Sequence, residues 1–214
     1  MSDIPPEPVT EQPSTTKPIA PPDPELKILS HKETYKCSRF GVNETKYQIG
    51  TDEPRVTYKI QLIGDLLVVI PRFKQKIVLV GEIQPPSTDV RWGFPTGFIV
   101  SGMGIADTAQ SILLDKTGLA AQKFHVLGSF HPSRYMDNIV HVMAADGLTR
   151  QKDQAPNDKD KLQLLTEQEI GLLLIQRSID DGLALASYAY YATSNYFAEV
   201  HHGPDHPDNT RKPQ

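Results

Sequence analysis

Short runs of apolar, often β-branched residues gather in the middle of the chain at Val56 to Ile63, Leu66 to Ile70 and Ile77 to Val80. Two more follow at Phe124 to Phe130 and Ile139 to Ala144. Runs of this length, bounded by Gly, Pro and polar residues, predict strands. Upstream, Tyr35 to Val42 and Lys46 to Ile49 alternate more weakly, and Asn43 with Glu44 between them predicts a hairpin turn. The period then changes. Ile105, Ala109, Ile112, Leu113 and Lys116 recur at helical spacing, with Gly118 placed where a left-handed residue stops a helix. Thr166 and Glu169 stand at capping-box spacing before Ile170, Leu173 and Leu174, which predicts a second helix. A third is predicted over Leu183 to Phe197, with Leu183, Ala186, Tyr190, Tyr191, Ser194 and Phe197 as one stripe and its tyrosines in the core.

The span from Thr149 to Lys161 is polar and predicts a loop. Residues 1–26 are crowded with proline among polar neighbours and predict a disordered tail, which could dock a protein partner; residues 201–214 predict a second flexible tail. One domain over residues 27–200 remains. Strands leading into one helix and followed by two more imply an α/β fold, a mixed sheet covered on both faces in an α/β/α sandwich.

Composition narrows the function classes. The single cysteine, Cys37, leaves no pair for a disulfide framework or a thiolate zinc site, and a reducing, cytoplasmic setting is expected. A formal net charge of −4 argues against nucleic acid as a partner. No apolar run reaches the roughly 20 residues of a membrane span, and the first residues lack a signal-peptide pattern, so no membrane partner is expected. His125, His131 and His141 do not fall at ligand spacing. Gly102 and Gly104 lack the lysine and the spacing of a phosphate loop.

Several segments share a pattern. Val78 to Pro86, Val90 to Ile99 with Trp92-Gly93-Phe94-Pro95-Thr96-Gly97, and Leu113 to Leu119 come in order, followed by Leu127 to Asn138 and Ser178 to Ala186. Together they resemble the ADP-ribose pyrophosphatase branch of the Nudix family, over roughly residues 27–195. That family's signature is G-x5-E-x7-R-E-U-x-E-E-x-G-U, with U a bulky aliphatic: a glycine for a tight entry, then a helix whose carboxylates hold magnesium against a diphosphate. Hard divalent cations need such a density of oxygen donors.

Placing Gly118 and Leu119 on the closing G-U puts Gly97 on the opening glycine and Leu113 on the internal aliphatic. The functional positions diverge. Met103 stands for the first Glu, Ser111 for the Arg, Ile112 for the next Glu and Lys116 for the last, while Asp115 alone keeps a carboxylate and is the sole candidate metal ligand. At about 4 Å and an effective dielectric near 20, each unit of like charge costs roughly 4 kcal/mol, so Lys116 opposes a divalent ion. Gln84 replaces the arginine that the resemblance implies before the proline, and Gly93 replaces an acid after Trp92. Gln84, Trp92, Arg134 and Tyr135 are the ligand-binding candidates; Asp153, Asp158 and Asp160 are acids of the polar loop with no assigned place.

Three functions stay open: a pseudoenzyme that binds a nucleotide diphosphate or a partner without cleaving it and needs no cofactor, an active magnesium-dependent hydrolase of ADP-ribose-like substrates, and a structural subunit of an assembly. The resemblance further implies a homodimer formed through the N-terminal strands.

Overall fold

A computed structural model describes residues 25–151 and 161–194. The expected tails lie outside these residues apart from Glu25 and Leu26, and so do Asp153, Asp158, Asp160 and Phe197. Three strands open the chain as an antiparallel sheet: β1 (Leu26–Lys36), β2 (Phe40–Ile49) and β3 (Arg55–Leu62). The expected hairpin turn at Asn43 and Glu44 is corrected here. The reversal comes at residues 37–39, closed by Cys37 N–H to Phe40 C=O at 2.9 Å, and Asn43 sits mid-strand. Its amide is nearly buried and donates to Gln61 Oε1 on β3 at 3.1 Å, so the polar side chain is satisfied across the ladder and no turn is needed.

The second sheet is mixed and has seven strands. Its path runs through β12 (Lys161–Thr166), β5 (Lys76–Ile83), β4 (Leu66–Phe73), β10 (Val140–Asp146) and β9 (Lys123–Phe130), with β6 (Val90–Gly93) on β5 and β7 (Thr96–Phe98) on β4. The pair of β4 and β10 is parallel. Both are near-continuous apolar runs because both of their faces are covered. On one face α1 (Ile105–Thr117) packs Ala109, Ile112 and Leu113 onto Leu67, Val69, Val78 and Met143. On the other, α2 (Glu167–Ile175) and α3 (Gly182–Thr193) cover Val68, Ile70, Ile77, Leu79 and Val142. This is an α/β/α sandwich. Among the described residues no helix is long and apolar enough to cross a membrane.

Local signals place the helix ends. Gly118 takes φ 67° and its N–H reaches Leu114 C=O at 2.8 Å, ending α1 in the left-handed conformation that glycine adopts without strain. Thr166 and Glu169 form the capping box at the start of α2, and the Thr166 N–H and hydroxyl, both donating to Glu169 Oε2, hold that carboxyl below its ordinary pKa.

The stripe of α3 is shifted from expectation. Asp181 caps the helix, and Ala184, Ser187 and Tyr191 are its buried residues, with Leu183 half-buried against the same core while Ala186 and Tyr190 fall outside the buried set. Small residues at 184 and 187 let the helix approach closely, and Tyr191 is fully buried as expected of a core tyrosine. Tyr190 leans over β9 instead, stacking on Phe130 and donating to Ser129 C=O at 2.9 Å. Gly128 makes room for it, since a Cβ there would lie 2.6 Å from the ring.

The expected loop from Thr149 to Lys161 is likewise bounded by pairing. Thr149–Arg150 is β11, paired with β8 (Leu119–Ala120), and Lys161 begins β12 along the edge of β5.

Candidate functional site

β4 and β5 form a hairpin that stays paired only near its turn, at Arg72 opposite Ile77 and Phe73 opposite Lys76. Beyond that the strands part. β6 takes over the free edge of β5 from Val80 opposite Gly93 to Ile83 opposite Val90, while β7 takes over that of β4 from Leu66 opposite Phe98 to Val68 opposite Thr96. The chain crosses from one to the other at Phe94 and Pro95, with Phe94 buried in the core and Pro95 C=O accepting from Val69 N–H at 2.9 Å.

This split in the sheet holds a cleft of about 200 Å³ beneath the start of α3. Glu82 and Gln84 line it from the end of β5, Arg91 and Trp92 from β6, Thr96 from β7 and Asp181 from the cap of α3. Two of the expected ligand-binding residues, Gln84 at the end of β5 and Trp92 on β6, therefore both border it. Trp92 packs its ring on Gly81, where a Cβ would come within 2.9 Å of it. Arg134 and Tyr135 lie elsewhere, exposed in the loop after β9; Tyr135 C=O accepts from Ile60 N–H of β3 at 2.7 Å, which ties that loop to the N-terminal sheet.

The positions of the signature-like segment divide in three. Met103 is exposed in the turn before α1, and Ser111 and Asp115 are exposed on α1. Ile112 retains only 9% exposure and packs over β7, so that a Cβ on Gly97 would meet its Cγ1 at 2.8 Å. Gly97 has no left-handed backbone; close approach is what requires a glycine here, not the tight entry expected from the signature.

Lys116 reaches toward the cleft. Its Nζ donates to Glu82 Oε1 at 2.6 Å, an ion pair that leaves the two side chains 24% and 36% exposed. Sequence reasoning counted Asp115 as the one surviving carboxylate and missed Glu82, which lies 34 residues earlier and on another element. Among the described residues no group of three His, Cys, Asp or Glu side chains is gathered as a metal site. An ammonium paired with the nearest carboxylate does not fit a magnesium cluster, which requires several free oxygen donors.

No protein-family model matches the sequence, and no curated protein sequence does. The fold does have a solved counterpart. It is similar to the crystal structure of an ADP compounds hydrolase, with a TM-score of 0.70 over 82% of this chain and 95% of that one, at 14% sequence identity. The split sheet, its single covering helix on one face and its two helices on the other are thus those of a Nudix-like α/β/α sandwich.

Proposed function

We propose that this chain is a Nudix-fold pseudoenzyme: it binds a nucleotide diphosphate ligand at the cleft between β5, β6 and α3 without magnesium-dependent hydrolysis. The carrying observation is the Lys116–Glu82 ion pair, which sets a fixed cation where the family resemblance implies a carboxylate. Ile112 supports it, because a side chain packed against Gly97 is removed from any hydrated metal site. A chain that kept the hydrolase chemistry would need oxygen donors at both positions.

Incubation of the purified protein with ADP-ribose and magnesium, followed by chromatography of the nucleotides, tests the absence of hydrolysis. No product above the uncatalysed background is expected; turnover approaching roughly 1 per second, the lower end of ordinary enzyme rates, overturns the proposal.

A second feature favours assembly with another copy. Every residue of β1 is exposed, including Leu26, Ile28, Leu29 and Tyr35, and a three-stranded sheet open on both faces buries little of its own apolar surface. Leu26, Ile28, Tyr47 and Thr57 border an open groove of about 340 Å³ on this sheet. The proposed arrangement is a homodimer formed through the N-terminal strands. Light scattering is expected to give a dimer mass that falls to the monomer value in the double variant Leu26→Lys, Ile28→Lys; a wild-type monomer at micromolar concentration refutes it.

A further inference from the structure

Both carboxylates of the cleft are engaged within the protein. Glu82 Oε1 accepts from Lys116 Nζ at 2.6 Å, and Asp181 Oδ1 accepts from Ala184 N–H at 2.9 Å as the cap of α3. The donors on the same walls are not. The side chains of Arg91, Gln84 and Trp92 make no hydrogen bond or ion pair with another described residue. Arg91 is the direct cross-strand partner of Glu82 on the β5–β6 ladder, so one carboxylate is flanked by a cation on β6 and another on α1. Arg91 and Lys116 balance the charges of Glu82 and Asp181, so neither carboxylate gives the cleft a net negative charge. One oxygen of each carboxylate is held in these bonds, while the guanidinium of Arg91 and the amide of Gln84 have no partner among the described residues and leave donors for an anion at this cleft.

We infer that Arg91 recognises the phosphate of a nucleotide in this cleft directly, with no divalent cation between them, while Trp92 and Gln84 contact the rest of the ligand. This rests on the nucleotide-binding proposal above and adds to it the residue that does the binding. The planar guanidinium offers two parallel N–H donors to phosphate oxygens, a pairing that needs no bridging metal. At about 200 Å³ the cleft is smaller than the roughly 300–1,000 Å³ of pockets that enclose whole drug-sized ligands, so it grips a phosphate and its neighbouring group rather than a complete dinucleotide.

Calorimetric titration with ADP in the presence of EDTA tests this, repeated with magnesium and with raised salt. Wild-type protein is expected to bind ADP equally with and without magnesium and more weakly at high salt. Arg91→Gln is expected to weaken binding roughly tenfold or more, in line with the loss of a hydrogen-bonded charge, while Arg91→Lys retains part of the affinity. Glu82→Gln is expected to tighten it several-fold, because it removes the negative charge beside Arg91. Inorganic phosphate is expected to compete with ADP, and adenosine is expected not to. The unliganded melting temperature of Arg91→Gln, unchanged from wild type, shows that the loss is local; if it falls, Arg91→Lys and Glu82→Gln decide the outcome between them.

Failure to bind ADP under any condition overturns both this inference and the nucleotide-binding proposal. Binding that requires magnesium, that is indifferent to Arg91→Gln, or that weakens in Glu82→Gln overturns the inference alone.

Discussion

Replacing Ile112 with glutamate restores the acid implied at that position by the family resemblance, and the structure predicts that it destabilises the protein without creating a metal site. The native side chain is 9% exposed and packs with Leu67, Val69, Ala109 and Leu113 between α1 and the sheet. Removing it forfeits about 1.5–3 kcal/mol of apolar burial. A carboxyl placed there without a partner costs about 1–3 kcal/mol more. The sum is a loss of about 2.5–6 kcal/mol, which is a large part of the 5–15 kcal/mol typical of a folded domain. Urea unfolding followed by far-ultraviolet circular dichroism is the assay, and the midpoint is expected to fall with little change in slope.

The pH dependence of that loss has a definite sign. Apolar surroundings raise the introduced carboxyl above its unfolded value of about 4.3, so the folded state disfavours the ionised form. The penalty therefore grows as pH rises above the unfolded pKa and levels off above the folded one, at up to about 1.4 kcal/mol per pH unit between them. The gap between variant and wild type is expected to be narrower at pH 5 than at pH 8. A variant with wild-type stability at both pH values, or one whose midpoint rises on adding magnesium, would show that position 112 opens to water and would refute the account of a closed site.

Gly97→Ala is expected to cost about 1–3 kcal/mol by overpacking, since its new methyl would lie 2.8 Å from Ile112 Cγ1; chemical denaturation checks it, and the cost should shrink in the double variant with Ile112→Ala. Thr166→Ala should cost about 1 kcal/mol by uncapping α2, again read from the urea midpoint. Because Glu169 titrates below its ordinary value in the folded state, its contribution is fully present above the unfolded pKa and is lost as pH falls through the folded one. Thermal scans of Glu169→Gln against wild type are accordingly expected to differ at pH 7, and the difference to begin shrinking only as the pH falls below the ordinary glutamate range. Asn138→Ala removes the side chain that accepts from Leu62 N–H at 2.6 Å and donates to Gly64 C=O at 3.0 Å; leaving those groups unpaired is expected to cost about 1–3 kcal/mol and to raise amide exchange at Leu62.

The features legible in the sequence are those whose causes lie within a few residues. The left-handed stop at Gly118 and the box of Thr166 with Glu169 are completed by groups three or four positions away. The apolar runs that became β4, β5 and β10 are legible for a similar reason, because a strand covered on both faces has little choice of residue. The order of strands, one helix and then two more was enough to imply the α/β/α architecture. The replacement of acids along α1 was equally visible, since it needs only a count along one helix.

Tertiary structure alone decided the rest. Asn43 carries a turn signal locally but is satisfied by Gln61 on a neighbouring strand, and the turn moved to residues 37–39. The phase of α3 was set by its Asp181 cap and by the close approach of Ala184 and Ser187 to the sheet, neither of which follows from apolar spacing. Above all, the cleft exists because β4 and β5 separate after two paired positions, and its charges meet because register sets Arg91 opposite Glu82 and helix packing brings Lys116 to the same carboxylate. Contacts between residues 34 positions apart are fixed by how sheet and helix stack, and no periodicity along the chain encodes that distance.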